Sequence, residues 1–202
     1  MNPFFEETLA AIWTELSRGS AEKDHPFRMP VIGTIGGGDD DPMENNIRMV
    51  VLRKANSQKR QLFFHTDIRS PKVKDMMKYP QLSWLFYHPR HQIQIRAKGK
   101  IQLHFKDKVW DDFWKMGTAN SLKGYTTKVT PGTLLIDYHP SIEANLLNQT
   151  PEKGEIESGK NNFVVVGCVV EFVEWLKLSR EGHQRIEFIW KNEQWQACWV
   201  AP

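Results

Sequence analysis

The sequence predicts a mainly β fold with flanking helices, an antiparallel barrel, closed or split, of six to eight strands. Three observations carry this. Residues 92–105 alternate strictly, with Ile93, Ile95, Ala97, Gly99, Ile101, Leu103 and Phe105 on one parity and Gln92, Gln94, Arg96, Lys98, Lys100, Gln102 and His104 on the other. That is a long strand with one buried face. Shorter β-favouring runs lie at 48–53, 61–65, 82–87, 163–176, 185–190 and 195–200. Helical periodicity is confined to a few segments, so strands must form the framework.

Taken in order, residues 3–18 read as an amphipathic helix, with Phe5, Leu9, Ile12, Trp13 and Leu16 spaced by threes and fours around Glu6, Glu7 and Glu15. Its acidic polar side favours a helix laid on the core over a membrane anchor. Residues 24–30 form a turn-rich link. Residues 33–42, with three glycines and three aspartates in succession, read as a loop. The glycines match neither a P-loop nor a dinucleotide fingerprint, and the aspartates read as solvated rather than as a cation site. Helices are predicted at 73–79 and 106–116, then a polar link through Gly132 and a short helix at 142–147. Residues 150–162 are polar and turn-rich and are expected to be a flexible loop. Asn192 and Glu193 would turn the last two strands into a hairpin. No repeat is visible, and a single domain over 1–202 is expected, with 1–18 as its N-terminal helix.

At 202 residues the chain is long enough to bury a core, and 40% hydrophobic with 25% charged residues is ordinary for a globular protein. Eight Trp and eleven Phe are a surplus that would fill a core, a cofactor pocket or an interface, with Trp84, Trp110 and Trp114 as interface candidates. A net charge of +3 without a dense basic run argues against a nucleic-acid partner. Cys168 and Cys198 read as two buried free thiols. There is no basic-flanked leader and no apolar run of about 20 residues, so a cytoplasmic protein with no membrane partner is expected. His88-Pro89-Arg90-His91 has an H-x-x-H spacing in a turn with no carboxylate nearby, and no metal site is expected there. Nothing resembles a serine nucleophile motif or a Cys–His pair for hydrolysis.

The most informative stretch is Thr66-Asp67-Ile68-Arg69-Ser70-Pro71-Lys72, between a strand and a helix. Ser70 is a natural N-cap and Pro71 suits the first helical position. The helix's free N–H groups would face the turn, with Arg69 and Lys72 adding charge at the same spot. An anion, foremost a phosphate, would be stabilised there; a solvated helix start would look the same.

Several segments, in order, resemble the pyridoxamine 5'-phosphate oxidase family. Arg48-Met49-Val50-Val51-Leu52-Arg53 is similar to that family's first flavin strand. Phe64-His65-Thr66 followed by Ser70-Pro71-Lys72 is similar to its second strand and phosphate turn, and Gln94-Ile95-Arg96-Ala97-Lys98-Gly99 to its third flavin element. His183-Gln184-Arg185 and residues 195–202 resemble its C-terminal strand pair. The likeness spans about 44–202, and Thr-Asp-x-Arg-Ser-Pro-Lys points to a poorly characterised FMN-binding branch.

The resemblance implies a homodimeric FMN-binding split barrel with the flavin at the subunit interface. It implies that Arg48, Ser70 and Lys72, joined by Arg69 or Arg53, hold the FMN phosphate. His65, Thr66 and the Val50 and Leu52 backbone would line the ring and ribityl chain, and Gln94 would meet the ring's polar edge. An exposed strand glutamine is the alternative for Gln94. His183 and Arg185 would close the site as catalytic residues, where a cation tunes the cofactor, or be ordinary strand residues. The family's Tyr, Arg and Ser for the substrate phosphate fall near Phe113, Gly117 and Ser121, and only Ser121 is kept. An FMN-dependent oxidoreductase acting on an unidentified small molecule is therefore expected. The alternatives are pyridoxamine 5'-phosphate oxidase itself, or a flavin- or haem-binding protein without turnover.

Overall fold

The computed structural model describes residues 2–142 and 144–202. The helix α1, Pro3–Ala21, is capped by the Asn2 side chain and buries Leu9, Ile12, Trp13 and Leu16, the face its periodicity predicts. A 3-10 turn, Pro26–Arg28, leads into β1, Val31–Gly38, and β2, Asp41–Met49. Residues 33–42 are thus a hairpin and not a loop. Glycine hides the period-2 signal, yet Ile32 and Thr34 are buried. A register shift falls at Gly36–Gly38, where Gly37 has φ +69° and the Pro42 carbonyl lies where its Cβ would be.

The remaining elements are β3, Lys54–Asn56; β4, Gln61–Asp67; α2, Pro71–Lys78; β5, Gln81–His88; β6, Ile93–His104; α3, Lys108–Met116; α4, Ala119–Leu122; α5, Ala144–Leu147; β7, Phe163–Lys177; β8, Gln184–Lys191; and β9, Gln194–Trp199. The short helix expected at 142–147 is α5; Glu143 of that range lies outside the described residues. Among the described residues nine strands, one more than the upper expectation, form one antiparallel sheet: seven follow the order β2-β1-β5-β6-β7-β4-β3, β8 pairs with β7, and β9 pairs with β8. β7 divides it. Its first half pairs with β4, its second half with β8, and its other edge with β6 throughout. That fork is the split of the barrel.

The segment expected as the strand 48–53 does two jobs. Arg48 and Met49 end β2; Val50 to Arg53 form an irregular seam that closes the barrel. Val50 N–H donates to the Pro30 carbonyl, Leu52 N–H to Arg28 and Arg53 N–H to Phe63. The core packs inside, with Trp84, Phe64, Phe86 and Leu52 almost fully buried. Trp84 and Trp114 are core residues rather than interface ones. Cys168 is buried, its thiol pushed up to about 12 by burial, whereas Cys198 is exposed, contrary to expectation.

Residues 150–162 are also not a free loop. Gly154–Asn162 is a run of 3-10 turns that buries Ile156 and Gly159 beside Trp114 and Phe163 in a second small core. Trp114 Nε1–H donates to Glu157 across that contact. One buried isoleucine among polar residues leaves too little periodicity to read.

Candidate functional site

The turn after β4 is built by Asp67. Its Oδ1 accepts the Arg69 N–H at 2.8 Å, an Asx-turn, and its carboxylate takes the Arg69 guanidinium through Nε at 3.0 Å and NH2 at 2.7 Å. Arg69 NH2 also donates to the Thr127 carbonyl. Arg69 therefore braces the turn from behind, and its fork is spent on Asp67 rather than offered to a ligand. Ser70 sits at the N-cap position of α2 with Pro71 after it, as expected, but its hydroxyl makes no capping bond. The Ser70 Oγ is buried and has no hydrogen-bond partner. Buried hydroxyls are nearly always paired.

Two cations converge in front of that turn. Lys72 Nζ donates to Thr66 Oγ1 at 3.2 Å, and its pKa is lowered first by burial and then by the charge of Arg48. Arg48 points from β2 to the same inner side of the sheet, donating through NH1 to Thr34 Oγ1 at 2.7 Å, with Asp75 4.0 Å from NH2. The Thr34 hydroxyl in turn donates to Asp75. Asp75 of α2 thus steers Arg48 through Thr34, a support that no local pattern of residues singles out. A half-buried Lys–Arg pair repels itself and is stabilised by an anion.

A second basic cluster lies on the other side of β4. Arg53, His65 and Ser121 line a cavity of about 430 Å³ together with Arg28, Lys54 and Gly117. Among the described residues no carboxylate lines it. Arg53 Nε is buried without a partner, and its pKa is lowered by burial. His65 Nδ1 lies 2.7 Å from Tyr125 Oη. Burial, then Arg53, hold the imidazole down to about 3, while burial raises Tyr125. Both groups are neutral near pH 7, so a single proton is shared in this contact and the imidazole carries no charge. The Ser121 hydroxyl donates to Thr118 O, and its oxygen lone pairs remain. A Cβ at Gly117 would lie 2.7 Å from Leu122 Cδ1, so any larger side chain there would require the buried Leu122 to move. Arg28 and Tyr125 are the residues of this cluster that sequence reasoning missed; both sit in segments without periodicity.

Gln94 and Arg185 lie elsewhere. Both pair with Leu176 on β7, so they share one row on the outer face of the sheet with Tyr87. Thr66 pairs with Val164. Val164 and Leu176 are twelve residues apart on one strand, about 40 Å of extended chain. The strand leading to the turn thus pairs with the start of β7 and the Gln94–Arg185 row with its end, while Arg48 lies on the inner-facing row Ile32–Trp84–Ala97–Val173. Arg185 is not free there. Its NH2 lies 2.8 Å from Glu174, a carboxylate 2% exposed that also takes Arg96 at 3.1 Å. His183 is in the turn before β8 rather than on the strand, exposed, with Nδ1 accepting the Ser179 N–H. It does not share a strand face with Arg185 as expected. Val50 and Leu52 give their N–H groups to the seam, and the Leu52 side chain is core.

His88 of the H-x-x-H run joins Glu15 and His25, whose ligand-type atoms lie within 4.8 Å of one another. Phe27 N–H donates to His25 Nδ1 and His91 N–H to His88 Nδ1. Each ring then carries its proton on Nε2, and His25 Nε2 lies 3.1 Å from Glu15. A nitrogen that carries a proton does not ligate a metal. The set joins α1 to the following link through the Glu15–His25 hydrogen bond, and His88 at the end of β5 meets His25 edge to face.

Residues 10–105 match the family model "Pyridoxamine 5'-phosphate oxidase, FMN-binding domain". No curated protein matches the sequence. Among solved structures, a pyridoxamine 5'-phosphate oxidase-related, FMN-binding protein from Nostoc punctiforme superposes with a TM-score of 0.73 at 21% identity, over 96% of each chain. PhzG from Burkholderia lata, solved with tetrahydrophenazine-1-carboxylic acid, gives 0.66 at 14% identity over 98% of this chain and 91% of that one. A general stress protein 26-related protein of the pyridoxinephosphate oxidase family from Clostridium acetobutylicum gives 0.53 at 11% identity over 96% of each. At these identities the structures show the shared fold. No helix among the described residues is long and apolar enough to cross a membrane.

Proposed function

We propose, on the premise that residues 10–105 match the FMN-binding domain of the pyridoxamine 5'-phosphate oxidase family, that this chain is an FMN-dependent oxidoreductase acting as a homodimer on a small anionic molecule. The observation that carries the cofactor assignment is the orphaned Ser70 hydroxyl beside the Lys72–Arg48 pair. A phosphate supplies acceptors for all three groups and neutralises the pair. Ser70, Lys72 and Arg48 would hold the phosphate, with Thr66 beside them and Arg69 bracing the turn. The turn and Arg48 face the inner side of the sheet whereas the Gln94–Arg185 row lies on its outer face, which supports a site shared by two copies, the phosphate end on one protomer and the ring edge near Gln94 of the other.

Bound FMN would supply hydride or electron transfer. The chain's own residues bind and orient. Arg53 and Arg28 suit a phosphate or carboxylate of the substrate, the Ser121 oxygen can accept from a substrate hydroxyl or amine, and His65 adds a neutral imidazole held by Tyr125. His183 offers its Nε2 from the exposed turn, and Arg185 orients through Glu174. Gly117, which offers no side-chain donor where the family's arginine would fall, favours a substrate other than pyridoxamine 5'-phosphate.

The test is direct. Purified protein should carry a flavin absorption spectrum, and apoprotein should bind FMN more tightly than riboflavin, which lacks the phosphate. Ser70→Ala should narrow that preference by roughly fivefold or more, about one neutral hydrogen bond, without loss of stability. Equal affinity for FMN and riboflavin in the unaltered protein would remove the phosphate assignment.

A further inference from the structure

Beyond Gly132, which packs on Pro71 of the phosphate turn, the chain runs through Thr133 to Tyr138 without secondary structure. Its side chains are the most exposed large apolar groups described: Leu134 at 97%, Ile136 at 102% and Tyr138 at 92%. Scattered exposed apolar residues are normal, but a consecutive set on an extended strap is not.

The outer face of the sheet carries the complement. Cross-strand rows there read Ile47–Gly33–Ser83–Lys98–Phe172 and Met49–Val31–Leu85–Arg96. Small residues at Gly33 and Ser83 leave a groove of about 430 Å³ between Ile47 and Phe172. Ile47 is 74% and Met49 60% exposed. Lys98 and Lys100 edge the groove beside Glu171, which lies 3.6 Å from Lys100, so Lys98 is the rim cation that faces Asp137 of the strap with opposite charge.

We infer that the strap at 133–138 of each protomer lies across the outer face of a second copy, with its branched side chains in the Gly33–Ser83 groove. The inference rests on the shared FMN site proposed above and adds the element that joins the two copies. The same docking that brings one protomer's phosphate turn to the other's Gln94 row carries the strap, rooted on that turn at Pro71, onto the neighbouring rows. Strap and face are present on every chain, so the exchange is reciprocal and closes as a two-fold dimer. Their exposed apolar residues offer roughly 1,000 Å² per protomer, against the about 800 Å² per partner typical of a stable complex.

The experiment is sedimentation equilibrium on the full chain and on Leu134→Ser/Ile136→Ser, with flavin-fluorescence titration of both. These side chains touch solvent in the protomer, so the variant keeps its fold, checked by circular dichroism. The unaltered chain should be a dimer. The variant's dimer dissociation constant should rise by roughly 100-fold, about tenfold for each aliphatic side chain removed from an interface. Ser83→Trp, which fills the groove, should do the same. FMN affinity should then depend on protein concentration. A variant that dimerises like the unaltered chain overturns the strap assignment while leaving the shared site standing. An unaltered chain that binds FMN tightly as a monomer overturns the shared site, and the strap assignment with it.

Discussion

Replacing Lys72 by Met isolates the phosphate contribution. Met keeps the length and the apolar stem of the side chain, so the packing of α2 on β1 is preserved. In the free protein Lys72 has one hydrogen bond, to Thr66 at 3.2 Å, and faces the like charge of Arg48. Deleting the ammonium removes a half-buried repulsion, so the urea midpoint should hold or rise. In the proposed site the same ammonium would make a charge-assisted hydrogen bond to the FMN phosphate, about 1.5–3 kcal/mol, or roughly 10- to 150-fold in Kd. Quenching of flavin fluorescence on titration with apoprotein measures this. FMN should bind weaker by a factor in that range, and riboflavin within about twofold of the unaltered protein. Equal losses for both flavins would mean that the substitution disturbs the fold, and an unchanged FMN affinity would remove Lys72 from the site.

Four further outcomes are expected. His65 has a folded pKa of about 3 against 6.5 for the free side chain, so the unfolded chain binds the extra proton first as pH falls; its stabilising contribution is complete above pH 6.5 and is lost between about 6.5 and 3. His65→Phe should flatten that part of the stability profile in chemical denaturation run at several pH values. Glu174→Gln leaves Arg96 and Arg185 without their shared carboxylate and should cost roughly 3 kcal/mol, the lower part of the range for a severed buried pair because both guanidiniums keep some water; a urea midpoint within error of the parent would count against the network. Gly159→Ala puts a Cβ 2.9 Å from the Thr126 backbone nitrogen and should destabilise by about 1–3 kcal/mol, with new proteolytic cleavage in residues 150–162. Glu193→Gly in the β8–β9 turn, where Asn192 and Glu193 have φ of 50° and 59°, should raise stability by roughly 0.5–1 kcal/mol; a drop would mean that the Glu193 side chain has a role of its own.

What could be read in advance follows from how locally each feature is encoded. The alternation of residues 92–105 is β6 almost to the residue, and Asn192-Glu193 is the hairpin turn, because side-chain parity and left-handed backbone are properties of neighbours. The glycine hairpin was hidden because a residue without a side chain carries no parity. Arg69 looked like a phosphate ligand, yet the Asp two residues before it was the legible sign of an Asx-turn that claims its guanidinium. Arg185 could not be judged from its own strand, since Glu174 lies on another one. Arg28 reaches the cavity from the link before β1. Pairings between distant segments set those roles, and periodicity is silent about them.

The fork in β7 also sets an order of assembly. β1 and β2 form a local hairpin, but the ladder that supports the phosphate turn joins β4 to β7, about 100 positions later in the chain. On the ribosome, residues 61–72 emerge long before the strand that holds them in place. β7 must also find β6 and β8 before both halves of the barrel are paired. The flavin cradle is therefore among the last parts of the protomer to become rigid. FMN would act as a late lock on a nearly finished chain, with no part in guiding its early folding.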